Sequence, residues 1–257
     1  MELSNDNIEE IQKTLDFFYK LLRQRSKHTI ASLGSKDALH IVDFHSNNWI
    51  EILKWINLEY KNESENSVLF FFFTLLFKEI YWLQLIFLYT NYPIVYRNLR
   101  YLWELITLGY YIEEKFPNIS LDEGMDMALK IEENGTFGWR LIITSFPSIL
   151  EKSIEEVKNE LHPLWKYLCK HAHPSGMVFH EIAEKDFSAL ITDSFNDELS
   201  QALLSKLDIV FDLIYACIFK RFPKILRLAA NYEFLVEWKN LIPITFNIIE
   251  KSHVPGF

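Results

Sequence analysis

The sequence predicts an all-α protein, and three observations carry that prediction. Glycine is scarce, 7 of 257 residues, against a usual share of about 7%, so few positions suit the tight turns of sheet proteins. Apolar residues recur over long runs at i, i+3, i+4 and i+7, the pattern of amphipathic helices rather than strands. Capping-box spacings and first-turn prolines punctuate those runs.

Taken in order, a first helix is expected from about Asp6 to Ser32. It carries Ile8, Ile11, Leu15, Phe18 and Leu22 at helical spacing, with Lys20, Arg23, Arg25 and Lys27 late, as the helix dipole favours. Gly34-Ser35 ends it, and residues 37–45 fit a short helix or an extended segment equally well. Asn48-x-x-Glu51 resembles a capping box opening a helix to Tyr60, with Trp49, Ile52, Leu53, Ile56 and Tyr60 on its apolar face. After the polar break 61–66 comes an aromatic helix over Ser67–Asn91. Pro93 then fits the first turn of a further helix that reaches Lys115 and stops before Pro117. Ser120-x-x-Glu123 caps a short helix to about Glu133, Asn134-Gly135 is a turn, and Phe137 to Phe146 suits another short helix. Ser148-x-x-Glu151 is expected to cap the next, which Pro163 interrupts or restarts. Residues 177–195 lack helical period. A long helix over about Asp197–Phe222 follows, then shorter ones on either side of Asn231 and near Leu241.

No repeat, linker or low-complexity segment appears. The expected architecture is a single domain over 1–257: an antiparallel helical bundle with a central aromatic-rich helix and one irregular insertion. The ring content, 21 Phe, 12 Tyr and 7 Trp, implies a core, an interface, or both, rich in aromatic area.

Composition narrows function. The formal charge of −9 gives no general attraction to nucleic acid or anionic membrane. Neither common glycine-rich nucleotide fingerprint is present, so no cofactor is expected. Cys169 and Cys217 are isolated and read as reduced thiols, which with the polar N-terminus suits a cytoplasmic protein. The apolar run Val68–Tyr92 is interrupted by Lys78 and Glu79, each costing about 2.5–3.5 kcal/mol at a bilayer centre. It reads as a buried or interface helix, and no membrane association is expected.

Two stretches are chemically distinctive. On the helix after Pro93, Arg97, Arg100 and Glu104 share a face with Tyr101, Leu108 and Tyr111. They suit either a local ion pair or a charged pocket in which arginine forks receive a carboxylate or phosphate. The second stretch, residues 161–175, holds three histidines, two prolines and Cys169. A helix starting at Pro163 puts Leu164, Tyr167, Leu168 and His171 on one face and Lys166, Lys170 and His173 on another. His171 and His173 then point about 200° apart, so no metal site is expected. His173 falls at or beyond the helix C-terminus because Pro174 follows.

Together, Arg100-x-x-x-Glu104 and Tyr167-Leu-Cys-Lys-His171-Ala-His173-Pro174, about sixty residues apart, resemble motifs of the HEPN-like superfamily and related helical families of prokaryotes, over roughly Ser67 to Phe222. The resemblance implies a helical bundle and a homodimer. In some members it also implies metal-independent ribonuclease activity from an R-x(4–6)-H motif. This chain departs from that motif: Lys166-x-x-x-x-His171 is its nearest match, and lysine lacks the planar fork of arginine. The leading expectation is a non-catalytic domain that dimerises or binds a ligand or partner, with Arg97, Arg100, Glu104 and Tyr167 as binding residues. The alternative is an HEPN-like ribonuclease of a toxin or defence system, with His171 or His173 as acid/base and Lys166, Arg97 or Arg100 on the RNA phosphate.

Overall fold

The computed structural model describes residues 36–88, 92–134, 138–172, 197–232 and 235–252, with isolated positions 20 and 23. Helix accounts for 89% of this part and no strand occurs in it, so the all-α expectation holds. The expected first helix lies outside the described residues except for Lys20 and Arg23, both exposed. Residues 173–196, with His173 and the irregular insertion, also lie outside. Among the described residues, no helix is long and apolar enough to cross a membrane.

Helix α1 spans Lys36–Ser64 without the expected start at Asn48. Asn48 is buried inside it, and its Oδ1 accepts from Trp238 Nε1 at 3.2 Å. Glu51 pairs with Lys54 instead of closing a cap. Phe44, Trp49, Ile52 and Ile56 are buried in one helical phase, so burial carries the helix through the spot where a local signal suggested a beginning. The helix kinks at Tyr60 (φ −125°, ψ 17°), whose hydroxyl accepts from the Lys224 amide at 2.8 Å.

The expected single aromatic helix is two, α2 (Val68–Leu75) and α3 (Phe77–Leu88), parted at Leu76. Trp49 stacks on Phe73 with centroids 3.9 Å apart, and its Nε1 donates to the Phe73 carbonyl at 2.9 Å. That lateral donor serves a carbonyl at the end of α2, where helix continuation would otherwise supply an amide.

Helix α4 (Tyr92–Lys115) begins with Pro93 in its first turn, as expected, and is the centre of the molecule. It packs against α2 and α3 and against four later helices: α5 (Leu121–Glu133), α6 (Trp139–Leu150), α7 (Ile154–Ala172) and α8 (Asp197–Arg221). Every residue from Leu102 to Tyr110 is buried. Gly109 lets α2 approach closely, since a Cβ there would meet Leu69 Cα at 2.9 Å.

The Ser120/Glu123 capping box on α5 forms as expected. The Ser148 box does not. Ser148 lies within α6, its hydroxyl 2.8 Å from both Ser145 O and Glu114 Oε1, and Glu151 takes the left-handed cap position at φ 57°. The spacing that opens α7 is Ser153-x-x-Glu156, whose side chains and amides bond reciprocally. Helix α7 also runs unbroken through Pro163. The carbonyl that proline leaves unbonded belongs to Asn159, an exposed residue on the watery side of the helix, where solvent serves it. A 3-10 turn (Pro223–Ile225), α9 (Leu226–Ala230), α10 (Leu235–Leu241) and α11 (Pro243–Ser252) complete the chain.

Two buried carboxylates join elements. Glu113 of α4 accepts from Ser67 Oγ (2.7 Å) and the Leu69 amide (2.8 Å) at the start of α2, and pairs with Arg221 Nε of α8. Asp212 of α8 caps α11, accepting from the Ile244 and Thr245 amides at 2.8 Å each.

Glu113→Ala is expected to lower unfolding free energy by about 2–4 kcal/mol, because it orphans two donors at the head of α2 and the Arg221 pair. A fall in urea midpoint with unchanged m-value measures this. Burial lifts the Asp212 carboxyl from 3.8 to about 6, and the capping amides only partly oppose it. The folded chain therefore keeps a proton that the unfolded chain releases. This stabilisation is fully present below pH 3.8 and is lost as pH rises through about 6. Relative to Asp212→Asn, wild type should lose on the order of 3 kcal/mol across that window in pH-dependent urea melts.

Candidate functional site

Both distinctive stretches lie on helices that pack together, α4 and α7. Their meeting point is Glu104, only 4% exposed. Its Oε1 accepts from Arg100 Nε at 2.8 Å and from Trp165 Nε1 at 3.1 Å. The Arg100 guanidinium also lies over the Trp165 ring, 5.4 Å from its centroid. A charge-assisted bond, a neutral donor and a cation–π contact thus converge on one buried carboxylate. About two turns from Glu104 toward the start of α4, the Tyr96 and Tyr167 hydroxyls lie 3.2 Å apart with their rings edge to face, and Lys206 of α8 caps the Tyr167 ring at 5.7 Å.

Gly138, the residue before α6, closes the site from the side. Its φ is +86°, and a Cβ there would sit 3.0 Å from Glu104 Oε1 and 3.7 Å from the Trp165 ring. Beside it Trp139 packs against both Trp165 (5.7 Å) and His162 (4.9 Å).

Of the expected binding residues, Arg100 and Glu104 pair directly and Tyr167 joins the same helix–helix contact through Tyr96, whereas Arg97 is exposed to solvent. Lys166 is likewise exposed on α7. The backbone of His171 belongs to the last turn of α7, but its side chain and all of His173 lie outside the described residues. Cys169 is a half-buried free thiol whose pKa is pushed up, first by burial and then by Glu104, with Arg100 opposing. It is thereby disfavoured as a nucleophile.

Sequence reasoning missed Trp165 and Gly138. The only trace of Gly138 is a glycine shortly before an apolar run, and nothing local connects it to Glu104. It also missed a buried constellation between α1 and α8. There His45 Nε2 bonds Asp208 Oδ1 at 2.9 Å, its ring stacks on Phe211 at 4.3 Å, and the Tyr215 hydroxyl donates to the His45 carbonyl at 3.0 Å. Burial lowers the His45 pKa, with Asp208 opposing. With the histidine 1% exposed, this group ties helices together and offers no surface to a substrate.

Chemically, the α4–α7 junction is an ion pair whose carboxylate is buried and whose arginine lies partly exposed beside the Trp165 ring. The two described surface cavities, of about 520 and 390 Å3, are lined by other residues. Among the described residues, no group of three or more His, Cys, Asp or Glu is arranged to hold a metal. Comparison with family models, with characterised proteins and with solved structures finds no match to this chain.

Trp165→Phe, which removes only the indole donor to Glu104, should cost about 1–2 kcal/mol. Gly138→Ala should cost about 1–3 kcal/mol from backbone strain, and more if Glu104 is displaced. Chemical denaturation of both variants tests this. A neutral outcome for Gly138→Ala would mean that the close approach to Glu104 is not made.

Proposed function

We propose that this chain is a non-catalytic helical assembly domain that associates with a second copy of itself through the outer face of α2 and α3. The observation that carries the reading is the exposure of large apolar side chains there: Phe71 37%, Leu75 42%, Tyr81 45% and Trp82 55%. Leu76, between the two helices, is itself helical in conformation (φ −75°, ψ −8°), so helical phase carries across it. Phe71, Leu75, Lys78 and Trp82 then fall within a stripe about 60° wide. The opposite face, with Leu69, Phe72, Phe73, Leu76, Ile80 and Leu83, is buried in the core. A helix apolar on both faces requires a second cover.

The four exposed side chains leave on the order of 400 Å2 of apolar surface in water, the size of the largest and often functional patch on a monomer. That is about half of one partner's share of a standard interface, so a moderate, concentration-dependent dimer is the expected form. Lys78 within the stripe is compatible with a protein cover, since its stem can lie along a partner's apolar surface while its ammonium stays in water. The pairing of buried Glu104 with Arg100 supports the absence of catalysis at that junction, because this arginine is engaged in an ion pair.

Sedimentation velocity from about 1 to 100 μM should show a monomer–dimer equilibrium, with Phe71→Glu/Trp82→Glu remaining monomeric and folded. A wild-type chain that stays monomeric throughout would end the assembly reading. Single-stranded RNA incubated with the protein and EDTA at about pH 5–8 should stay intact. Cleavage that disappears in His171→Ala would replace the non-catalytic reading with the ribonuclease one.

A further inference from the structure

A surface cavity of about 520 Å3 opens where α4 ends and α5 begins, within the size range of ligand-binding clefts. Its walls combine Phe116, Ile119 and Met127 with the carboxylates of Glu123 and Asp126. Phe116 is 43% exposed and presents its ring to solvent. Glu123 is held in place by the capping box, its Oε2 taking Ser120 Oγ at 2.7 Å and the Ser120 amide at 3.2 Å. Asp126, one turn on, is exposed and has no ion-pair partner among the described residues; Lys130, which also lines the cavity, has none either.

An aromatic face beside two exposed carboxylates is complementary to an organic cation on an apolar stem. Two carboxylates fall short of the six or more oxygen ligands a calcium ion takes, and no metal-holding group of three occurs among the described residues. The net charge of −9 draws cations toward the surface in general; the apolar walls select among them.

We infer that this cavity receives a basic side chain of a partner polypeptide, arginine or lysine, presented next to an apolar residue. The site is separate from the α2–α3 stripe and stands whether or not the chain dimerises.

The test uses a fluorescein-labelled hexapeptide alternating arginine and leucine, with a citrulline–leucine peptide as its neutral counterpart, read by anisotropy against the whole chain. The arginine peptide should bind and the citrulline peptide should not. Asp126→Lys and Phe116→Ala should each weaken binding about tenfold or more, with unchanged thermal melting. Asp43→Lys, an equal charge change on α1 outside the cavity, should alter it by less than about twofold. Absence of binding at low salt overturns the inference. So does an equal loss in Asp43→Lys, which would reduce the effect to net charge. Argininamide binding as tightly as the peptide would overturn the polypeptide partner in favour of a small organic cation.

Discussion

A carboxylate taken out of water must find donors or lose its charge, and the central helix of this protein buries two. Glu104 and Glu113 are nine residues apart on α4, two and a half turns, so they leave opposite faces of the helix. Glu104 is satisfied by Arg100 and by Trp165 of α7. Glu113 is satisfied by the head of α2 and by Arg221 of α8. Apolar packing alone would tolerate small slides of these helices on α4. The two carboxylates tolerate them poorly, because each shift would strand a buried charge. Register on both sides of the core is therefore set by hydrogen bonds, and the apolar side chains fill the space those bonds define.

The aromatic side chains have two separate jobs. Inside, they act as much through polar edges as through area. Trp49 stacks on Phe73 while its indole bonds the Phe73 carbonyl and divides the aromatic run in two. Trp238 reaches Asn48 and Trp165 reaches Glu104 by the same means. Outside, Phe71, Leu75, Tyr81 and Trp82 remain uncovered, and the assembly reading rests on them. The histidine-rich stretch that drew attention in the sequence contributes to the core through Leu164, Leu168 and Trp165.

Legibility varied from residue to residue for physical reasons. Spacings of the form Asn/Ser-x-x-Glu include those at 48, 120, 148 and 153. The boxes at 120 and 153 form and those at 48 and 148 do not. A capping box needs free amides at a helix start, and where a helix starts depends on what its neighbours bury. Arg100 and Glu104 were legible as a charged face because they share one helix. That the face turned inward was not legible, since the deciding partner, Trp165, comes from 61 positions away. Glu113 looks like half of an ordinary acidic pair with Glu114, and His45 and Asp208, 163 positions apart, carry no spacing signal.

Helical periodicity, scarce glycine and first-turn prolines determined by themselves that the described part of this chain is all-α, with α4 as one continuous helix. These are local properties, written in the spacing of side chains along one segment. Which carboxylates are buried, where the aromatic run breaks and which apolar face stays in water were decided only by the tertiary structure. Each depends on a donor or a covering surface supplied by a segment remote in sequence, and the local pattern holds no record of it.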